Sequence, residues 1–345
     1  MQRLVIVSDA WGQQVNGVVT TLTRTCQEMR SRGIEVQVIG PDSFRSFAMP
    51  GYSEIRLAIL PYRKLAARLA EARPDGIHIS TEGPLGWAAR RYCRKHGIPF
   101  TTSFHTRFPD YVRARLPIPT AWTWAWLRHF HRPSAAVMTA TQSLEDELRS
   151  RGFDRLVRWS RGVDLEVFVP RLEPSASAEP CLLYLGRVAQ EKNVEAFLAL
   201  QDQVPGRYVV VVDGPIRESL QAKHPQVEWR GYQSGQTLRD SLAEADCMVF
   251  PSRTDTFGLV MIEAMACGTP VAAFPEQGPL EVIQPGVSGG LSEDLAEAAA
   301  QALNCTRADA RRRAEHFSWQ RSTDQFVETV TRVSSNRHDG VTASS

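Results

Sequence analysis

The sequence predicts an α/β protein with two parallel-sheet domains, and three observations predict it. Short apolar, β-branched runs alternate with helical patterns along nearly the whole chain, the rhythm of βαβ units. That rhythm breaks once, at residues 168–180, where Pro170, Pro174, Ser175, Ser177 and Pro180 gather, a composition that suits a linker. The length of 345 residues accommodates two domains at roughly 100–200 residues each.

The first domain is expected over residues 1–167. Residues 4–9 read as a strand. Residues 18–30 read as a helix with Val18, Leu22, Cys26 and Met29 on one face. Arg32-Gly33 closes that helix, and residues 35–39 form the next strand. Helix 64–72, strand 77–80, helix 85–96 and strand 100–104 follow. A helix around 120–130, a strand at 135–139 and a helix at 144–151 complete the domain. After the linker, a second domain at 181–315 restarts the alternation. Its strands are 182–185, 208–212, 227–229 and 248–250, and its helices 194–200, 238–245 and 259–266. A C-terminal helix at 316–333 is expected to pack back on the first domain, and the polar tail 334–345 to be disordered. Ligands of open parallel sheets bind beyond the carboxyl ends of the strands, so the two sheets are expected to face each other across a central cleft that holds the site.

Composition narrows the function classes. Hydrophobic residues make up 43% and charged residues 23%, an ordinary globular balance. The six cysteines form no CxxC pair, which disfavours zinc ribbons and thioredoxin-like chemistry; scattered single thiols suit a reducing cytosol. No 18-residue apolar stretch and no signal peptide are visible, so the expected location is cytoplasmic, with any membrane contact peripheral to the inner face. Residues 1–165 hold 24 Lys/Arg against 14 Asp/Glu, and residues 166–345 hold 16 against 24. The basic half is expected to face an anionic partner.

Three loops carry chemistry. Asn16-Gly17 precedes the first helix, where a glycine admits close backbone approach and a helix start offers N–H groups to an anion. Residues 186–193, Gly-Arg-Val-Ala-Gln-Glu-Lys-Asn, place Arg187 and Lys192 beside a helix start, a combination suited to a diphosphate. They lack the GxxxxGK[ST] of a P-loop ATPase. Residues 250–264 place Asp255 in a loop and Glu263 on the next helix, with Gly258 at the helix start. His105 ends a strand in Ser103-Phe104-His105-Thr106-Arg107.

The order of Asn-Gly, Phe-His-Thr, Arg-Gly-Val-Asp, Gly-Arg-(x)4-Lys-Asn, Asp-Gly-Pro and acid-(x)7-Glu-Ala resembles family four of the retaining glycosyltransferases, from Val5 to about Trp319. The resemblance implies the GT-B fold of two Rossmann-like domains. It implies that Asp255 binds donor sugar hydroxyls and Glu263 the nucleotide ribose, and that Phe257, Gly258 and Leu259 offer backbone contacts. Arg187 and Lys192 would neutralise the leaving diphosphate, with His105 and Gly17 facing the donor from the first domain. The family's first acid is usually Glu; Asp255 is one methylene shorter, which bears on the sugar accepted. No metal or other cofactor is expected, and the chain has no Asp-x-Asp.

For the acceptor, Trp122 and Trp126 with Arg128 and Arg132 suit an anionic bilayer interface, and Trp124, two residues from each tryptophan, points elsewhere. Arg113, Arg115 and the cluster Arg90, Arg91, Arg94 and Lys95 add to the basic half. The expected reaction is transfer of a hexose or hexuronic acid from a UDP-linked donor to a membrane lipid such as diacylglycerol. The alternatives are a GDP-mannose-dependent α-mannosyltransferase acting on a glycan or phosphatidylinositol-type acceptor, and a nucleotide-sugar-binding protein without turnover. No nucleic-acid recognition motif is present.

Overall fold

The computed structural model describes residues 1–12, 17–49, 52–105, 119–171 and 179–342. The chain divides into two compact units, one of Met1–Ser160 with Trp319–Ser345 and one of Arg161–Ser318. The boundary therefore precedes the 168–180 stretch. Residues 161–171 belong to the second unit because Val163 bridges to Ser318 and the Arg311 guanidinium bonds the carbonyls of Leu165 at 3.0 Å and Phe168 at 2.6 Å. Pro174, Ser175 and Ser177 lie outside the described residues, as do Asn16, Thr106, Arg107, Arg113 and Arg115.

The first unit runs β1 (Arg3–Val7), α1 (Gly17–Ser31), β2 (Glu35–Ile39), the hairpin strands β3 (Ser46–Met49) and β4 (Tyr52–Ala58), α2 (Tyr62–Ala72), β5 (Gly76–Ile79) and α3 (Pro84–Lys95). It continues with β6 (Thr101–Phe104), α4 (Thr120–His131), β7 (Ala136–Thr139), α5 (Gln142–Ser150) and β8 (Leu156–Arg158). Six of these strands form one sheet in the order β2-β1-β5-β6-β7-β8, all parallel. Strand side chains alternate between faces, and both faces are buried. Val5 and Val7 join Ile79 and Leu85 on one side; Leu4 and Ile6 join Leu22 and Met29 on the other.

The second unit runs β9 (Cys181–Leu185), α6 (Val194–Ala199), β10 (Arg207–Val211), α7 (Arg217–Lys223), β11 (Glu228–Gly231), α8 (Gly235–Glu244) and β12 (Cys247–Phe250). Then come α9 (Leu259–Ala266), β13 (Val271–Ala273), α10 (Gln277–Val282), β14 (Gly289–Leu291), α11 (Leu295–Leu303) and α12 (Arg307–Ala314). The sheet order is β11-β10-β9-β12-β13-β14. The chain leaves β9 toward one edge and returns to β12 on its other side, so the order reverses between β9 and β12.

The last helix, α13 (Trp319–Thr342), returns to the first unit. Its Phe326 and Val330 are buried with Leu4, Ile6 and Leu22, and its Gln325 carboxamide oxygen accepts from the Ser160 N–H at 2.8 Å and hydroxyl at 2.9 Å. The helix continues through the segment read as a disordered tail from 334. Ser334 and Ser335 direct their hydroxyls back to the carbonyls of Val330 and Thr331, at 2.8 and 3.0 Å, which satisfies them within the helix. Only residues 343–345 of that tail lie outside the described residues.

Candidate active site

In the second unit, two loops meet at the point where the strand order reverses. The buried β9 leads into Gly186–Ala189 and a short 3-10 turn at Gln190–Lys192. Asn193, at φ 56°, turns the chain into α6. The buried β12 leads into residues 251–258, and Gly258 begins α9 at φ 82°. A Cβ at Gly258 would lie 2.8 Å from both the Phe250 ring and the Met261 methyl, so this corner requires glycine.

The loops are tied together. Lys192 Nζ donates to Asp255 Oδ1 at 2.6 Å, the Asn193 amide donates to the Pro251 carbonyl at 3.1 Å, and the Thr254 hydroxyl donates to the Glu191 carbonyl at 3.3 Å. Burial alone would raise the Asp255 carboxyl, but the Lys192 charge and hydrogen bond, with one from Ser252, hold it below its ordinary value. Asp255 is therefore a carboxylate at neutral pH, and Lys192 its counter-ion.

Neighbouring loops brace this pair. The Val188 N–H donates to the Asp213 carbonyl at 3.0 Å. A Cβ on Gly214 would fall 2.1 Å from the Val188 carbonyl oxygen, which explains the glycine of Asp-Gly-Pro. Arg253 bonds Glu276 at 2.9 Å and Glu293 at 2.8 Å while lying over the Phe274 ring at 3.7 Å. Val212, at φ 89°, is strained for a β-branched residue, and it follows β10 directly, beside the β9 loop. Arg187 is half-buried in that loop. Phe257 is buried, Leu259 is half-buried in the first turn of α9, and Glu263 is half-buried one turn further on. With glycine at the cap, no side chain caps α9, so its start presents backbone N–H groups and the positive end of a helix.

In the first unit, His105 leaves the carboxyl end of β6. Its Nε2 meets the Ser80 hydroxyl at 3.0 Å, and its ring stands edge-on to Trp159 at 5.6 Å. Gly17 is the first residue of α1. Asp9, which the sequence reading passed over as the end of a strand, organises this region. Its carboxylate accepts from the N–H groups of Leu85 at 2.9 Å and Gly86 at 3.3 Å, and from the Thr81 hydroxyl at 2.9 Å. Burial pushes its carboxyl up to about 6, against those hydrogen bonds. A signal was present: α3 is capped by Gly83 and starts with Pro84, and a glycine cap leaves the first N–H groups to an acceptor from elsewhere.

The expected acceptor residues Trp122, Trp126, Arg128 and Arg132 lie along α4 and at its end. Trp122 is 73% exposed and Trp126 38%, whereas Trp124 is buried and stacks on Phe104. Arg128 and Arg132 are exposed at the far end of the same helix. Arg90 is not a surface cation: it is buried, and its guanidinium bonds the carbonyls of Phe130 at 2.9 Å and His129 at 2.8 Å.

These features can be set beside known proteins. The model of Glycosyltransferase Family 4 matches residues 15–167, and that of Glycosyl transferases group 1 matches residues 179–309. A GDP-mannose-dependent alpha-mannosyltransferase of Mycolicibacterium smegmatis is 30% identical over 311 residues, covering 82% of each chain. The chain is a family 4 glycosyltransferase. A GDP-mannose-dependent alpha-(1-6)-phosphatidylinositol dimannoside mannosyltransferase of Mycobacterium tuberculosis is 27% identical, over 95% of this chain and 96% of that one. The solved structure of Anabaena HepE in complex with UDP and glucose shares the fold at a TM-score of 0.71 and 15% identity, covering 96% of this chain and all of that one. This family 4 enzyme has the two Rossmann-like domains of the GT-B fold, and it is a retaining hexosyltransferase using a nucleotide-sugar donor. No helix among the described residues is long and apolar enough to cross a membrane.

Proposed function

We propose that this glycosyltransferase moves a mannosyl group from GDP-mannose to a lipid-linked acceptor. The observation that carries the donor site is the Lys192–Asp255 pair at 2.6 Å, joining the two loops that flank the switch point, where open α/β sheets bind their ligands. In this reading the diphosphate lies at the start of α9, with Lys192 as a point charge and Arg187 as a planar fork. Asp255 accepts hydrogen bonds from the sugar, and Glu263, one turn along α9, accepts from the ribose. Phe257, Gly258 and Leu259 contribute backbone contacts. The charge that develops on the leaving diphosphate meets fixed cations and helix N–H groups, a preorganised field that requires no metal. In the first unit, His105 is held by Ser80 and Trp159, and Gly17 opens α1.

Mannose takes first place over the UDP-linked hexose of the sequence reading on the strength of the two mycobacterial relatives, both named for GDP-mannose. A lipid-linked acceptor is favoured because the first unit is basic and exposes Trp122 and Trp126, and because one relative is named for phosphatidylinositol dimannoside. The test is to incubate purified protein and bacterial membranes with radiolabelled GDP-mannose, UDP-glucose and UDP-glucuronate. Label from GDP-mannose is expected in the lipid phase. Lipid-phase label from a UDP-sugar alone would overturn the donor, and label confined to the aqueous phase would overturn the acceptor.

A further inference from the structure

A cavity of about 390 Å³ lies in the first unit, and neither His105 nor Gly17 is in its lining. It is formed where α4 ends and where β7 and β8 begin, so it sits at the amino-terminal ends of those two strands. Its lining includes Arg128, Arg132 and Arg155, with His129, His131 and a single acid, Asp154. None of the three guanidiniums pairs with a carboxylate among the described residues. Arg128 donates to the Arg151 carbonyl at 2.9 Å and Arg155 to the Ser134 carbonyl at 2.7 Å. Each is thereby held in place by one neutral acceptor and keeps donors for another partner. The Arg132 side chain has no hydrogen bond or ion pair among the described residues. One wall is fixed, because buried His131 is bonded to Thr102 at 2.9 Å and to Glu82 at 3.1 Å.

Two guanidiniums held by carbonyls, a third without a partner among the described residues, and one carboxylate leave the lining of this cavity with an excess of positive charge. We propose that the cavity binds a phosphate ester, whose tetrahedral oxygens take the planar donor forks of arginine. Its volume falls in the range of small-ligand pockets, roughly 300–1,000 Å³, enough for a phosphorylated polyol or a lipid headgroup but not for a polymer. The site is separate from the donor loops, and the inference does not depend on which nucleotide sugar they bind.

Glycerol 3-phosphate is the probe, titrated calorimetrically into the wild-type chain and three variants. Binding should persist in Lys192→Ala, weaken about tenfold or more in Arg132→Gln/Arg155→Gln, and tighten in Asp154→Asn, which removes the like charge without touching an arginine. The same proteins are floated with phosphatidylglycerol and with phosphatidylcholine vesicles. Flotation that needs phosphatidylglycerol and both arginines, without binding of free glycerol 3-phosphate, assigns the phosphate to a lipid headgroup. Binding of the free probe alone assigns it to a soluble phosphoester. Glycerol 3-phosphate binding that disappears in Lys192→Ala and survives in Arg132→Gln/Arg155→Gln would move the anion to the donor loops and overturn the proposal. So would the absence of arginine-dependent binding in both assays, or an Asp154→Asn protein that binds no more tightly than wild type.

Discussion

Individual residues in this protein are legible through their electrostatic surroundings. Asp9 is the clearest case. Its carboxyl is raised from 3.8 to about 6 because it is buried at the start of α3. A raised carboxyl favours the protonated folded state, so this contribution to stability is complete below about pH 4 and lost as pH rises through 6. Two units correspond to about 3 kcal/mol. The stability of the wild type relative to Asp9→Asn should therefore fall by about 3 kcal/mol between pH 4 and pH 7, measured by urea unfolding at both pH values; a difference that stays constant contradicts the burial account. Asp255 shows the opposite balance, because a cation 2.6 Å away outweighs its burial. Glu263 tests the ribose assignment. Glu263→Gln should weaken GDP binding about tenfold, or about 1.4 kcal/mol, because an amide replaces a two-oxygen acceptor. Unchanged calorimetric affinity would remove Glu263 from the nucleotide site.

At the scale of elements, the helix starts matter most. Gly258 sets the direction of α9, and Gly258→Ala meets two penalties at once: φ 82° and a Cβ 2.8 Å from Phe250 and Met261. The strain alone costs about 1–3 kcal/mol, so the thermal midpoint should drop by several degrees and donor affinity should fall with it. A variant with wild-type melting and affinity would show that the corner tolerates a side chain. The sequence made α9 fully readable, since residues 259–266 are apolar apart from Glu263 and are bounded by Gly258 and Gly268. The alternating strands of both sheets were readable for the same reason. The β3–β4 hairpin was not, because Ser46, Arg56 and Glu54 interrupt the alternation that marks a strand. Strands β8, β13 and β14 have three residues each, too few to show a period. In the site, Lys192, Asp255 and Glu263 stood out through motif spacing. Asp9 did not, because its partners Thr81, Leu85 and Gly86 are more than 70 positions away.

For the whole molecule, charge follows the structural division. The unit of residues 1–160 with 319–345 holds 26 Lys/Arg against 16 Asp/Glu, while residues 161–318 hold 14 against 22. Each basic residue near an anionic bilayer contributes roughly 1 kcal/mol, screened by salt, and exposed Trp122 and Trp126 suit its interface. The protein should float with phosphatidylglycerol vesicles at low salt and less at high salt, and Trp122→Ala should weaken that binding. Protein that stays at the bottom of the gradient at low salt would point to a soluble acceptor. The central claim is that the loops joined by Lys192 and Asp255 stabilise the departing diphosphate, and the most direct test is the turnover of Lys192→Ala with saturating GDP-mannose. The account predicts a kcat lower by about 10²–10³-fold, the scale of losing one preorganised donor, in a protein that melts cooperatively. A kcat within about twofold of wild type, far short of that scale, would contradict it.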